Sequence, residues 1–210
     1  FLNMTRMAML VFVVILLLHF ANTRIVSKLF AGLIGALILF AVFNSESFQE
    51  KTFFEGEGNL SDISINYYDA GARMNTSGRG AFLQYFEKGL RDSPVWGNGP
   101  RSDYYVMHSF VDLNEVHNDY LSVRYNYGYV GLVLLLFGFA GSFMTTYSKY
   151  SSFRQLKDPY RFLVSSSVLI LFFAFLMFMY SDNILKYTIF FPDIFFAMVG
   201  MVFAETEKTS

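Results

Sequence analysis

The stretch VDLNEVHNDYLSVRYNYGY, residues 111–129, decides the fold, because a polar segment leads directly into a run apolar enough to enter a membrane. Asp112 fits the N-cap position of a helix, and Glu115 lies three residues on, as in a capping box. This pattern places His117 in the second turn, with Arg124 further along the same face. A histidine held there fits two roles equally well: chemistry at the membrane surface, or hydrogen bonding at the mouth of a helix bundle.

The composition is that of a membrane protein. Of 210 residues, 54% are hydrophobic and only 16% are charged, well below the roughly 25% of soluble domains. The net charge of −1 argues against a nucleic-acid partner, which needs a basic surface. There is no cysteine to form a disulfide or ligate a metal, and no histidine or carboxylate pattern resembles a metal site. We expect neither a metal nor a cofactor.

Five apolar runs are long enough to be membrane spans, since about 20 residues cross the hydrocarbon core. They cover residues 4–21, 25–43, 127–147, 162–180 and 187–204. The fifth is the least regular, because Pro192 and Asp193 interrupt it. The sequence therefore predicts an all-α membrane protein with about five transmembrane helices. Residue 1 is Phe, and no signal peptide precedes the first run, so we expect the C-terminal part of a larger bundle.

The orientation follows from the Lys and Arg residues of the short connections, which favour the cytoplasm. The 22–28 connection carries Arg24 and Lys28, and the 148–161 connection carries four basic residues. Placing both inside puts the polar turn 181–186, which contains Asp182 and Asn183, on the outer face. The predicted domains are two transmembrane helices (1–43), an extracytoplasmic helical loop with the active site (44–126), three transmembrane helices (127–204) and a cytoplasmic tail (205–210).

The 44–126 loop is too long for a simple connector and is expected to be a functional layer. It contains seven Lys or Arg and twelve Asp or Glu, a net charge of −5, so an anion site must be local. A helix is predicted over residues 79–91, with Phe82, Phe86 and Leu90 on one stripe and Ser93-Pro94 after its end.

Two arginines of the outer side are candidates for binding phosphate oxygens. Arg79 opens the predicted 79–91 helix, where free N–H groups and the helix dipole favour an anion. Arg6 lies at the outer end of the first span, where an arginine is costly unless it is paired, hydrated or bound to an anion. The alternative for both is a surface arginine that extends to water.

The segment PVWGNGPRS, residues 94–102, contains two glycines between prolines and predicts a tight turn. Such a turn either brings backbone N–H groups close to a ligand or is simply a turn. Trp96 is expected at the membrane interface rather than on a substrate. His19 and His108 have no neighbours at ligand spacing and are interpreted as structural.

In chain order these elements are Thr5-Arg6 at the start of a span, SGRGAFL, PVWGNG, VHNDYL and YGYVGLVLLL. This ordered set resembles the O-antigen ligase and polymerase family over about residues 1–203. That family has a Ser-Arg opening, an arginine at the start of an outer helix, Pro-x-x-Gly-x-Gly, His-Asn and Gly-x-x-Gly. The chain departs from it at Thr5, at Leu83 (where Trp is common) and at Arg101 (where another Gly is often found).

The resemblance implies a GT-C-like, all-helical glycosyltransferase of the bacterial inner membrane that needs no metal. Its donor is a glycan on undecaprenyl diphosphate, and its acceptor is lipid A core or the next repeat unit. The roles carried over place Arg6 and Arg79 on the donor diphosphate and His117 at the acceptor hydroxyl. Further substrate-binding residues are expected to be Arg101, Asn118 and Arg124.

Two other classes of protein compete with the glycosyltransferase. If the chain is a fragment of a polysaccharide or lipid transporter, it should have ionisable residues at mid-membrane and matched repeats in its two halves. Only Asp193 fits the first feature, and the sequence shows no repeat. A sensor or scaffold predicts that Arg6, Arg79 and His117 can each be replaced with little effect. The sequence favours the glycosyltransferase, and it leaves ligase and polymerase open.

Overall fold

The computed structural model describes residues 6–20, 25–53, 56–62, 79–110, 115–186 and 191–204. In these ranges all regular structure is helical, which confirms the predicted all-α fold. The elements are α1 (Arg6–Phe20), α2 (Ile25–Phe43), α3 (Glu46–Thr52), a 3-10 turn (Leu60–Asp62), α4 (Arg79–Asp92), α5 (Ser102–Phe110), α6 (Asp119–Gln155), α7 (Pro159–Ser181) and α8 (Phe191–Phe203).

Each predicted span falls on a helix, but the lengths differ from those expected. By length and composition, α6 and α7 are suited to cross a membrane among the described residues. A third span results if Gly32–Phe43 and α3, which meet at a bend of 66°, are counted as one. The number of five spans and the GT-C-like arrangement stay predictions.

The interruption expected at Pro192 stays a prediction. Pro192 is the second residue of α8, whose described helix begins at Phe191. Proline is well tolerated in a first helical turn, because the N–H that it lacks has no partner there. Asp193 belongs to the same first turn and is exposed. The preceding residues 187–190 lie outside the described part of the chain.

An aromatic core joins α6, α7 and α8. The rings of Phe172 and Phe195 meet edge to face, with their centroids 4.8 Å apart. The centroid of the Phe175 ring also lies 4.8 Å from that of Phe195. Phe175 and Phe195 are fully buried, as is Met179. Edge-to-face pairs add about 0.5–1.5 kcal/mol beyond simple burial, so this cluster fixes the three helices against each other.

A second, smaller core lies under α4, α5 and the start of α6. It contains Phe86, Leu90, Met107, Val116 and Tyr125. Phe86 and Leu90 are buried as their predicted stripe requires, and α4 ends at Asp92, directly before Ser93. The side chain of Phe82, the third member of that stripe, lies outside the described residues.

The long helix α6 is broken at Gly128, where φ is 64° and ψ is −162°. The break separates a polar segment, residues 119–127, from the apolar remainder of α6. We call α4, α5, residues 94–101, residues 115–127 and the turn 182–186 the polar layer. This layer holds almost all of the described candidate site residues.

Candidate functional site

The helix α6 starts later than the sequence predicts. Asn118 is its N-cap, and the Asn118 side-chain oxygen accepts a hydrogen bond from the Leu121 N–H at 3.0 Å. Residues 115–118 are not helical, and Asp112 lies outside the described residues. The prediction that His117 occupies the second turn is therefore wrong: His117 lies in the non-helical segment just before the cap. Capping also occupies the side-chain oxygen of Asn118, a residue that was predicted to bind substrate.

His117 is paired with Asp182. Its Nδ1 lies 2.9 Å from Oδ1 of Asp182, and the two side chains are 34% and 39% exposed, so both remain accessible. Because an ionised carboxylate only accepts hydrogen bonds, Nδ1 is the donor in this contact, and in the neutral form of His117 the Nε2 atom is then an acceptor. The structure thus puts the polar turn that contains Asp182 on the same side as His117, as the topology predicted.

The turn between α7 and α8 is held against the start of α6 by backbone and side-chain hydrogen bonds. The Asp119 N–H donates to the Asp182 carbonyl at 3.2 Å, and the Leu185 N–H donates to the Asp119 carboxylate at 3.0 Å. The Asn183 amide donates to the Glu115 carboxylate. Tyr120 adds a bond from its hydroxyl to the Leu176 carbonyl at 2.9 Å. The position of Asp182 is therefore fixed from several directions.

A buried carboxylate, Asp103 of α5, completes this attachment. It is 1% exposed and accepts hydrogen bonds from Ser122 at 2.6 Å and Asn126 at 2.8 Å. Lys186 donates to it at 3.0 Å and forms its ion pair. Burial alone would raise the pKa of Asp103, but these hydrogen bonds and the Lys186 charge lower it below the ordinary value. Asp103 therefore stays charged and ties α5, α6 and the α7–α8 turn together.

The glycine turn of residues 94–99 packs backbone against backbone onto the break in α6. The Asn98 and Gly99 N–H groups donate to the carbonyls of Tyr125 and Asn126, both at 2.9 Å. In return, the Tyr129 N–H donates to the Pro94 carbonyl at 2.9 Å. The Gly97 N–H is bonded to Ser93. These three N–H groups of the turn are used inside the fold, so they support the structure and are not available to a ligand.

Close approach explains the glycines at this contact. Gly97 has φ 75°, and a Cβ there would lie 2.5 Å from the Asn126 backbone. A Cβ on Gly128 would lie 2.1 Å from the Val95 carbonyl oxygen. No larger residue fits either position unless the 94–99 turn and the α6 backbone move apart.

Two predicted substrate-binding arginines are described with their side chains. Arg101 is exposed, and its guanidinium carbon lies 5.1 Å from the centre of the Tyr104 ring. Its φ of 62° is a conformation that glycine adopts readily, which agrees with the glycine common at this position in the resembling family. Arg124 donates to the Tyr129 hydroxyl at 2.8 Å, and its Nε has no partner among the described residues.

The other candidates are placed only in part. Arg6 and Arg79 are the first residues of α1 and α4 as described, and nothing is described of their side chains. Whether they approach His117 therefore stays a prediction. Among the described residues, no three His, Asp or Glu side chains are arranged to share a metal ion.

Sequence reasoning missed the roles of Asp103, Asp119 and Lys186. Each lies far along the chain from at least one of its partners, and no local motif marks it. For Asp119 and Lys186 the available signal was the density of carboxylates and amides in two short polar segments, residues 112–126 and 181–186, whereas Asp103 lies outside both.

The arrangement defines a helical membrane protein with an accessible imidazole–carboxylate pair beside membrane-suited helices. Residues 1–136 match the family described as O-antigen ligase, which is more than half of the chain, and the protein belongs to that family. The predicted family is confirmed. The match contains Arg6, Arg79, Arg101, His117 and Arg124 and ends before Asp182. No curated protein matches the chain.

Membership of this family makes the protein a glycosyltransferase-like enzyme of O-antigen and lipopolysaccharide biosynthesis, acting on glycan and lipid-linked substrates. Together with the apolar helices, it also makes the protein a multi-pass protein of the inner membrane.

Proposed function

We propose that the protein transfers a glycan from undecaprenyl diphosphate to a sugar hydroxyl, with His117 as the general base and Asp182 as its positioning residue. The observation that carries the proposal is the 2.9 Å contact between His117 Nδ1 and Asp182. In a neutral imidazole this contact holds the proton on Nδ1, so that Nε2 faces the acceptor hydroxyl as the proton acceptor that a general base requires.

The proposed step is one displacement. The acceptor oxygen forms a bond to the anomeric carbon of the donor, and the bond from that carbon to the phosphate oxygen breaks. The lipid diphosphate leaves with the electron pair, and the hydroxyl proton passes to Nε2 of His117. Both side chains of the pair are about one-third exposed, so an acceptor can reach them.

The leaving diphosphate needs positive charge, and arginine supplies it without a metal. Guanidinium groups bind phosphate oxygens through two parallel hydrogen bonds. We assign this role to Arg6 and Arg79, with Arg124, a partly exposed cation of the polar layer, as a further candidate. The net charge of −5 over residues 44–126 makes such local cations necessary.

Complementation of a strain that lacks the gene tests the base. We expect His117→Ala to abolish the normal surface glycan, read as a ladder on a gel, at normal protein level. Loss of the ladder with a single repeat retained indicates a polymerase, and full-length glycan left on the carrier lipid indicates a ligase. His19→Ala, which changes a histidine that takes no part in the proposed reaction, is the control. Normal glycan from His117→Ala would reject the proposal.

A purified reaction tests the metal-free chemistry and the arginine. We expect transfer from the lipid-linked donor to persist in excess EDTA, and Arg79→Lys to be severely impaired, because lysine lacks the planar fork that grips two phosphate oxygens. Lys88→Met on the same helix is the matched control. Wild-type rates with Arg79→Lys would remove Arg79 from the site, and a block by EDTA would refute the metal-free mechanism.

A further inference from the structure

The residue after Asp182, Asn183, contacts the carboxylate that pairs with His117. The backbone N–H of Asn183 donates to Oδ1 of Asp182 at 2.9 Å. Nδ1 of His117 lies 2.9 Å from the same oxygen. One carboxylate oxygen therefore accepts from two donors that belong to different segments of the chain, and a displacement of Asn183 moves this oxygen relative to the imidazole.

The side chain of Asn183 is attached to the segment that carries His117. Asn183 is completely buried, and its amide donates to the carboxylate of Glu115, two residues before His117. The amide oxygen of Asn183 is buried and has no hydrogen-bond partner among the described residues. Within that part of the chain, the Glu115 carboxylate is thus the group that holds the amide. A buried amide without a partner is costly, so the loss of Glu115 favours a different position of Asn183.

These contacts form a closed ring of side chains and backbone. Its members are His117, Asp182, Asn183 and Glu115. The backbone of Val116 closes the ring between Glu115 and His117. Val116 is 1% exposed and belongs to the smaller core under α4 and α5, so this side of the ring is anchored. A change at Glu115 is therefore transmitted to the carboxylate oxygen that contacts the imidazole.

We propose that Glu115 is a positioning residue for His117 and acts through Asn183 and the Asp182 carboxylate. This inference rests on the proposed function, because it names a residue that sets the geometry of the same base. A general base must lie within hydrogen-bond reach of the proton that it removes. Small errors in the placement of such a group lower the rate strongly.

A second role for Glu115, that of fastening the whole turn to the protein, is already filled by other residues. The Leu185 N–H donates to the Asp119 carboxylate at 3.0 Å, and Lys186 pairs with the buried Asp103. Neither contact involves Glu115. The bond from Glu115 reaches the start of the turn instead, next to the carboxylate that contacts the imidazole. Its loss is therefore expected to change the local geometry while the turn as a whole stays attached.

Transfer kinetics of the full-length protein in lipid vesicles test the inference. The donor and the acceptor are extracted from membranes of the strain that lacks the gene. We expect Glu115→Ala to lower kcat about tenfold and to leave KM for the donor near the wild-type value. Glu115→Gln, whose side-chain oxygen can still accept from Asn183, is expected to keep at least about half of the wild-type kcat.

Two further variants accompany this measurement. Glu87→Ala, which removes an exposed carboxylate from α4, is the matched control and is expected to behave as wild type. Asn183→Ala, which removes the buried amide, replaces Glu115→Ala if that variant does not fold, and the same loss of kcat is expected.

Combination with Asp182→Asn distinguishes positioning from general structural support. If Glu115 acts through Asp182, adding Glu115→Ala to Asp182→Asn lowers kcat by less than about twofold, whereas independent effects multiply. A wild-type kcat for Glu115→Ala overturns the inference, as does the same loss in the Asp182→Asn background as in wild type. Inactive His117→Ala with fully active Glu115→Ala defeats this inference alone, whereas normal transfer by His117→Ala defeats the proposed function.

Discussion

The aromatic core of α6, α7 and α8 and the polar layer are held together in opposite ways. In the core, interlocking rings such as Phe172, Phe175 and Phe195 fill space without hydrogen bonds between side chains. In the polar layer, Asp103, Asp119 and Asp182 each bind partners far away in the sequence. An apolar core tolerates the replacement of a side chain by another of similar shape. A buried hydrogen-bonded charge does not tolerate the loss of its partner. The two regions should therefore respond differently to substitution.

The largest expected effect on stability is that of Lys186→Met. It leaves the buried Asp103 carboxylate without its cation, a change that typically costs about 3–5 kcal/mol. The measurement is the thermal unfolding midpoint in detergent, with the exposed Lys88→Met as control. Adding Asp103→Asn to Lys186→Met should restore much of the loss, because it removes the uncompensated charge. A Lys186→Met variant as stable as wild type would show that the pair does not hold the layer.

Next is Gly128→Ala, compared with Gly138→Ala on the same helix. At Gly128 a Cβ would collide with the Val95 carbonyl, and φ is +64°. At Gly138 nothing lies within 4 Å of an added Cβ. Strain and overpacking together predict a loss of about 2–4 kcal/mol for the first variant. The second is expected to change stability by less than about 0.5 kcal/mol. Equal unfolding midpoints would refute the close contact between the 94–99 turn and α6.

Asp182→Asn is expected to separate activity from stability. The amide keeps the shape of the side chain but no longer fixes the His117 tautomer, so we expect transfer to slow by about tenfold to a hundredfold. The unfolding midpoint should change little, because the Asp182 carbonyl still accepts from the Asp119 N–H. Rates at saturating and limiting donor show whether kcat falls, as a positioning role requires, or only KM rises. Unchanged kcat would remove Asp182 from the mechanism.

The smallest expected effect is that of Phe175→Leu in the aromatic core. Phe175 is fully buried, and a hydrophobic replacement of similar size costs about 1 kcal/mol. We expect a slightly lower unfolding midpoint with an unchanged surface glycan. A glycan defect at normal protein level would show that the aromatic core takes part in the reaction, and would remove the contrast between the two regions.

Residue pattern alone was sufficient for features that depend on local periodicity. The stripe of Phe86 and Leu90 on α4 and the helix end before Ser93 were predicted because helical period and proline chemistry are local. The turn containing Asp182 was placed on the same side as His117 from charge in the short connections, and the contact between them agrees. The family, too, was recognised from the order of short motifs.

Features set by tertiary contacts could not be predicted. Asp112 and Glu115 form a plausible capping box, yet α6 is capped by Asn118, and Glu115 is bonded to Asn183 of the α7–α8 turn. The sequence thus offers two possible N-caps close together, Asp112 and Asn118. The structure uses Asn118 for α6, and the carboxylate of Glu115 binds a residue that is distant in the sequence. The helix α5 was missed because nine residues of mixed character carry no clear period.

Asp182 is the C-cap of α7, and this links the His117–Asp182 pair to the lipid phase. A helix of 23 residues is roughly 34 Å long, close to the thickness of a bilayer core. Lipids with shorter or longer acyl chains make such a helix tilt or shift, which would displace its terminal carboxylate relative to His117. We therefore expect the transfer rate in reconstituted vesicles to pass through an optimum as acyl-chain length is varied, and a flat dependence would show that the pair is insulated from membrane thickness.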